Sequence, residues 1–446
     1  MDGNGKDSLI GRLLGNADKF SSEHVAETVQ LLLEHGVKWQ ASDIHIEPHD
    51  SYVLVRYRVD GRLRGAHKVP RGALEPLVHQ IKEQSHLDIH NTSTPQQGRF
   101  SIAASKQDIT VNVSIMPVYG GEKIVLHLTA QVVEPRPLRD LGFWGASLHA
   151  IQTALARNHG MIIVTAPKHH GRPTTEASML AALNDPGLNI ATIEESVEYR
   201  IPHANQTAVN HRAGLTMLSG LRAALQQDPN VLLVGSIANH DVADLAIETA
   251  LSGHMVVSGM HSDSAANALL HLRAMNIPIY LIASSVRVVA AQRLVRKLCE
   301  DCRERYELSS EQLHVLERMF GIDSPSAYHR IHQLETQAAG LGIGTDPRQN
   351  TTRNRITHLW RPHREGCESC DHTGYSGRVA LTEVLPLTDT VQKAILNPDT
   401  TAASLQTDAI KHDNFVPLAL DGLVKALRGL VTVKEVLHVV DRSLRY

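Results

Sequence analysis

From residue 161 onward, short apolar runs alternate with helical patterns, and this alternation constrains the fold more than any other feature of the chain. Met161 to Thr165, Asn189 to Ile193, Val231 to Val234 and Met255 to Ser258 are each four or five residues long. Apolar runs of that length suit strands buried on both faces. Helical spacing lies between them, as at Thr174 to Leu183. Strands alternating with helices predict a parallel α/β sheet with ligand sites at the carboxyl ends of its strands.

The residues ahead of this region read differently. Val25, Val29, Leu32 and Leu33 recur at helical spacing over 24–37 and stop near Gly36. Ile44 and Ile46 alternate with polar neighbours, and Val53, Val55, Tyr57 and Val59 alternate up to Asp60-Gly61, a hairpin signal. The opposite face of that strand carries Arg56 and Arg58, with Arg62 and Arg64 beyond the turn, and is expected to be a solvated face. Further strands are expected at 109–116 and 122–128, around Gly120-Gly121. Together these predict a small α+β domain over 1–132, a proline-marked linker over 133–145 and the alternating α/β domain over 146–297.

Composition closes off several function classes. With 446 residues, 42% apolar and 20% charged, the chain is that of a folded protein with several cores. A net charge of -3 gives no global pull toward nucleic acid or anionic lipid. No run of about 18 apolar residues occurs, so no membrane span is expected. Met1 to Phe20 lacks the apolar stretch of a signal peptide. The 27 histidines are scattered and read mostly as surface residues.

All four cysteines fall in two CxxC pairs, Cys299 with Cys302 and Cys367 with Cys370. Two such pairs complete a tetrahedral thiolate site, and structural zinc is the expected occupant. Redox-active or idle thiols are the competing reading, although neither pair opens a β-α-β unit as a redox motif would. The module spans 298–383 and includes a polar insertion over 322–360; residues 327–360 have little apolar periodicity and are expected to loop out flexibly. The end, 384–446, reads helical, with Leu423, Leu427 and Leu430 and then Val436, Leu437 and Val440.

A strand-loop-helix at Ile162 to Leu180 reads IIVTAPKHHGRPTTEASML. A phosphate-binding loop wants G-x-x-x-x-G-K-[ST], whose glycines let backbone N–H groups curl round phosphate while the hydroxyl binds magnesium. Those positions hold Ala166, Gly171, Arg172 and Pro173, so the scaffold is right and the pattern alone is a poor match.

The rest of the chain carries a resemblance. It lies in SDIHIEP (42–48), VRYRVDGRL (55–63), GEKIVLHL (121–128), TIEESVEYRIP (192–202), AGLTMLSGLRAALQQDPNVLLVGSIAN (213–239), SGHMVVSGMHSD (252–263), AQRLVRKLC (291–299), GYSGRVALTEVLP (374–386) and DGLVKALRGLVTVKEVL (421–437). In order and over about 25–440, these segments resemble the type II secretion and type IV pilus assembly ATPases, the GspE/PilB branch of the secretion motors. The tetracysteine module sets the chain apart from retraction-type pilus ATPases.

The resemblance implies an α/β fold: a RecA-like P-loop domain with an α+β N-terminal domain, a tetracysteine zinc module and a helical C-terminal region. It implies a cytoplasmic hexamer, homomeric or built with a paralogous ATPase, peripheral at the inner membrane and held there only through platform proteins of a secretion or pilus system. Nucleic acid is not an expected partner. The far N-terminal domain through which many relatives dock is expected to be absent or reduced to the short segment before residue 25.

Carried over position by position, the family's nucleotide loop (GPTGSGKT) falls on Ala166, Pro167, Lys168, His169, His170, Gly171, Arg172 and Pro173, with Thr174 next. The glutamate of the VGEIRD pattern is Ser236, followed by Ala238 and Asn239 where Arg and Asp are expected. The aspartate of TIEDPVEY is Glu195, between the retained Glu194 and Glu198. Two arginines of the N-terminal domain fall on Asn112 and His127, while His254 and His261 of the histidine box remain. The expected catalytic positions are therefore Glu195, His254 and His261.

These changes are not conservative. Arg172 lacks the lysine's compact ammonium, Pro173 has neither hydroxyl nor N–H, and Ser236 cannot polarise a water as a carboxylate does. Phosphoryl transfer rests on positioning and charge, where one arginine can be worth about 10³–10⁵ in rate. The expectation is a non-hydrolysing structural or regulatory paralogue, with weak anion binding through Arg172, Gly171 and the helix start near Thr174, and with ATP and magnesium set back as cofactors. The alternative is an active hexameric ATPase motor that drives pilus or pseudopilus assembly and protein secretion.

Overall fold

The computed structural model describes residues 22–104, 107–130, 134–322, 324–344 and 348–440. They form two compact units, divided between residues 133 and 134.

In the first unit, helices α1 (Ser22–Lys38) and α2 (Leu74–Gln84) pack on a six-stranded antiparallel sheet. Its strands are β1 (Asp43–Pro48), β2 (Tyr52–Val59), β3 (Arg62–Pro70), β4 (Gln96–Ala104), β5 (Gln107–Val118) and β6 (Gly121–Ala130), in the order β3-β2-β1-β6-β5-β4. The alternation works as expected: Val53, Val55, Tyr57 and Val59 face the core beside Val25, Val29, Leu32 and Leu33. Asp60 and Gly61 both take positive φ, 49° and 79°, the geometry a two-residue hairpin demands. The arginine face is a paired network. Arg56 lies 2.6 Å and Lys123 2.7 Å from Glu47, while Arg58 and His127 lie 3.1 and 2.9 Å from Asp43. Burial raises the Glu47 carboxyl, but bonds from Arg56 and Lys123 outweigh it and hold the group below its ordinary range. Asn112 and His127 are register partners across β5 and β6.

The second unit is built on a seven-stranded sheet. Its strands are β7 (Gly160–Thr165), β8 (Ile190–Glu194), β9 (Ala204–Ala208), β10 (Val231–Val234), β11 (Met255–Met260) and β12 (Val286–Leu298). Beyond them come β13 (Arg303–Glu307), β14 (Thr351–Thr352), β15 (Arg355–Ile356), β16 (His358–Pro362) and β17 (Tyr375–Pro386). The sheet order is β17-β12-β7-β11-β10-β8-β9, all parallel except β17 against β12. The helices are α3 (Leu138–Leu141), α4 (Gly145–Leu155), α5 (Arg172–Leu183), α6 (Met217–Leu225), α7 (His240–Leu251), α8 (Ala265–Ala274) and α9 (Ile279–Ser285). Then follow α10 (Ser310–Phe320), α11 (Pro325–Gly340), α12 (Asp389–Leu396), α13 (Ala402–His412), α14 (Leu418–Leu427) and α15 (Val433–Val439). Met161 and Ile163 enter one core with Leu221, Ala246 and Leu269, while Ile162 and Val164 enter another with Leu141, Ile151 and Leu180. Burial on both faces is why these strands read as continuous apolar runs.

Two stretches differ from expectation. The presumed linker holds α3, and Leu138, Leu141, Phe143 and Trp144 are all buried. The insertion expected to be flexible holds α11, β14 and β15 and is tied down by buried polar groups. Glu335 accepts from the Asn350 N–H (2.7 Å) and the Thr351 hydroxyl, and Asn350 Nδ2 donates to Leu427 O (2.6 Å). Arg428 donates to the carbonyls of Ile343 and Arg348 at 3.0 and 2.9 Å. Polar anchoring of this kind leaves no apolar stripe for a sequence pattern to show. Among the described residues, no helix is long and apolar enough to cross a membrane.

Candidate functional site

The loop 166–171 leaves the carboxyl end of β7 and enters α5, the position the alternation predicts for a ligand site. The helix begins at Arg172, two residues earlier than Thr174, because Gly171 takes φ 77° at the N-cap and Pro173 suits the first turn. Ala166 is buried, and its carbonyl lies 3.2 Å from His261 Nδ1. Pro167, Lys168 and His169 are exposed, His169 at φ 65°, a region that favours glycine.

His170 is spent on the scaffold. The Leu294 N–H donates to its Nδ1 at 2.9 Å, and Gln292 Nε2 donates to its carbonyl at 2.7 Å. Burial first, then Arg293, Arg378 and His169, lowers its pKa to about 4, in keeping with a neutral ring that accepts. The next two hydroxyls are also engaged: Thr174 Oγ1 lies 2.7 Å from the Tyr199 hydroxyl, and Thr175 Oγ1 donates to Gln292 Oε1 at 2.7 Å.

Arg172, the expected anion handle, turns into the protein. Its Nε lies 3.2 Å from Glu176 Oε1, one turn on along α5, with side chains 15% and 4% exposed. The contact is not aligned as a hydrogen bond, and Arg172 Nη1 and Glu176 Oε1 are both buried without one. The pair lies against Gly259, where an added Cβ would stand 2.4 Å from Glu176 Oε1, 2.7 Å from Arg172 Nε and 2.7 Å from Gly235 O. It therefore sits between the start of α5, the end of β11 and the turn that carries Ser236. Burial, opposed by Arg172 and reinforced by Glu194 and Glu198, raises the Glu176 carboxyl to about 8.

The other expected residues are dispersed. Ser236 follows β10. Asn239 has become the cap of α7, its side chain accepting from the Val242 N–H at 3.1 Å. Glu195 is exposed, 3.8 Å from the equally exposed His211, a contact worth little. Glu194 accepts from Thr192 Oγ1 (2.6 Å) and Gln206 Nε2 (3.2 Å), and burial pushes its carboxyl up. His254 and His261 flank β11 at opposite ends, about 23 Å apart at the usual rise per residue. Only His261 is brought to the loop. Glu176 is a site residue that sequence reasoning misses, because an acid four residues after Arg172 reads as an exposed helix pair, whereas here it is buried with Ala177, Met179 and Leu180.

The cysteines do converge. Cys299 to Cys367, Cys302 to Cys370 and Cys367 to Cys370 are separated by 3.7, 3.8 and 3.7 Å between sulfurs, and all four lie within 4.8 Å of one another. A tetrahedral site with metal–sulfur bonds of about 2.3 Å has edges of about 3.8 Å, so the four fit a metal. Burial raises the Cys370 thiol, but N–H groups of Cys367 and Gly374 aimed at its sulfur outweigh it and bring it to about 6. Burial pushes Cys299 and Cys302 up.

With β7 leading through 166–171 into α5 beside the ends of β10 and β11, the second unit has the build of a RecA-like P-loop domain, and the cysteine cluster sits on its β12–β17 edge. The family model described as "Type II/IV secretion system protein" matches residues 18–438, and the chain belongs to that family. The type II secretion system ATPase E of Vibrio cholerae is 33% identical over 441 residues, 98% of this chain and 80% of the relative. The type IV pilus assembly ATPase PilB of Thermus thermophilus is 34% identical over 409 residues, 92% of this chain and 42% of the relative. Among solved structures, the Legionella pneumophila ATPase DotB superposes with a TM-score of 0.62 at 17% identity, covering 92% of this chain and 94% of that one. At that identity the likeness concerns the fold.

Proposed function

We propose that the chain is a non-hydrolysing member of its family, a structural or regulatory subunit of a type II secretion or type IV pilus assembly machine. One observation carries this reading: the cation at the lysine position is turned onto Glu176, 3.2 Å away, beside a proline where magnesium needs a hydroxyl. A magnesium-bound triphosphate then lacks its main positive contacts, and Ser236 leaves the attacking water without a carboxylate. Glu195 and His254 have no part in this reading of the site, while His261 steadies the loop through Ala166. We further propose that Cys299, Cys302, Cys367 and Cys370 hold a structural zinc ion, whose thiolate bonds fasten the module. The subunit works in a hexameric ring, alone or with an intact paralogue, on the cytoplasmic face of the inner membrane beneath platform proteins. Asn112 and His127, in place of arginines, weaken any nucleotide-driven clamp between neighbours.

The competing reading, an active motor, draws support from relatives named as ATPases. Turnover of magnesium-ATP by the purified full chain separates the two. No turnover above background, with pyrophosphate binding weak and indifferent to magnesium, is the expected result. Robust magnesium-dependent turnover, abolished by Arg172→Ala or His261→Ala, overturns the proposal.

A further inference from the structure

We propose that Glu176 sets the ligand preference of the loop: when ionised it competes with phosphate for Arg172 and so weakens anion binding at a phosphate-binding position. The inference rests on the reading of 166–173 as a degenerate phosphate loop and adds to it the residue that silences the loop's buried cation.

The geometry makes the competition specific. Arg172 and Glu176 share one face of α5, and their heads meet at the carboxyl end of β11, against Gly259. The guanidinium is turned inward to Glu176, close to Gly259, and must swing outward to meet a phosphate at the loop. The inward contact is a poor one, because Arg172 Nη1 and Glu176 Oε1 remain without aligned hydrogen bonds. A phosphate oxygen accepting from the guanidinium fork would satisfy the donor that Glu176 leaves unpaired. Glu176 must then stand alone in a buried position, which only its neutral form tolerates.

The charged groups acting on Glu176 are Arg172 from its own helix and Glu194 and Glu198 from the end of β8 and the segment after it. β7 and β11, which pack against α5, carry no ionisable side chain, and the neighbouring α3 and α4 bring Arg139, Asp140 and His149. The carboxyl titrates near 8, so the charged latch closes above that pH and slackens below it. Anion binding and loss of the Glu176 proton therefore oppose each other.

The test is calorimetric titration of pyrophosphate into the full chain, without magnesium, for wild type, Glu176→Gln, Arg172→Ala and the double variant. At about pH 9, Glu176→Gln is expected to bind about tenfold more tightly than wild type, equivalent to about 1.4 kcal/mol. At about pH 6.5, where wild-type Glu176 is itself neutral, the gap should close to about twofold. Adding Arg172→Ala should abolish the gain. Glu176→Leu, which replaces a buried carboxyl with an apolar group of similar size, gives the same comparison should the glutamine variant fold poorly. Equal affinities of wild type and Glu176→Gln at the higher pH, or a gain that survives loss of Arg172, overturn the inference. Turnover plays no part in these measurements, so an active wild type would defeat the proposed function and leave this result to stand or fall by itself.

Discussion

Replacing Glu176 by glutamine should stabilise the second unit increasingly as pH rises. The ordinary carboxyl titrates at 4.5 and the buried one near 8. Between those values the unfolded chain has lost a proton that the folded chain keeps, so stability falls as pH rises and levels off once the folded carboxyl also ionises. Three and a half pH units at about 1.4 kcal/mol each amount to about 5 kcal/mol, of which about 3 lie between pH 5 and 7. Glutamine keeps the shape and has no proton to lose, so its advantage over wild type should grow by that amount. At about 2 °C per kcal/mol, the melting difference should widen by about 6 °C. Tryptophan fluorescence can follow this if Trp39 of the first unit is changed to Phe, since Trp144 and Trp360 both lie in the second. A variant-minus-wild-type difference that stays flat from pH 5 to 8, or narrows, refutes the assignment of a raised, proton-holding carboxyl.

Four further outcomes follow from the same structure. Protein purified without chelator should carry about one zinc per chain, and Cys367→Ser should lose it with much of the roughly 10–16 kcal/mol such sites supply; four freely titrating thiols in the folded chain would count against the site. Asp421→Ala removes the partner of buried Lys425 (2.7 Å) and the acceptor of Trp144 Nε1 (2.6 Å), and should cost about 3–5 kcal/mol in urea unfolding. The change Asp421→Asn, which removes the charge and keeps an acceptor for Trp144 Nε1, should cost less than Asp421→Ala, and an equal penalty refutes the idea that the lost hydrogen bonds add to the unpaired charge. Light scattering should find monomer in dilute solution, and a tight hexamer without nucleotide or partner contradicts the weakened clamp at Asn112 and His127.

The elements most visible in the sequence are those whose environment is uniform. Val231 to Val234 is buried along its whole length, so its apolar run and its strand coincide, and the alternation of β2 reports one wet face and one dry. β12 and β17 do not read as strands in the sequence, because Arg287, Arg293 and Arg296 interrupt one and Arg378 the other. Arg293 sits buried by donating to the carbonyls of Gln292 and Asp263, and Arg296 by pairing with Glu435. α11 escaped notice for a similar reason: one of its three buried residues is Glu335, which serves Asn350 and Thr351. The cysteine cluster was legible because spacing alone defines it. The Arg172–Glu176 pair was not, since an acid and a base four residues apart ordinarily mark a solvated helix surface.

β12 has a mechanical consequence. Its middle holds the loop, through Gln292 and the Leu294 N–H on His170, and its carboxyl end runs directly into Cys299. From Gln292 to Cys299 is seven residues, about 23 Å of strand, stiffened by antiparallel pairing with β17 that is interrupted once, between Arg296 and Leu298. Such a ribbon behaves as a beam, with the loop clamped at one end and the thiolates at the other. A torque applied to the cysteine module by a docked protein would arrive at residue 170 as a tilt of the loop, lessened by what the register shift between Arg296 and Leu298 absorbs. The converse holds as well: a spectroscopic probe in place of a bound metal would read the attitude of the loop from the far end of the beam.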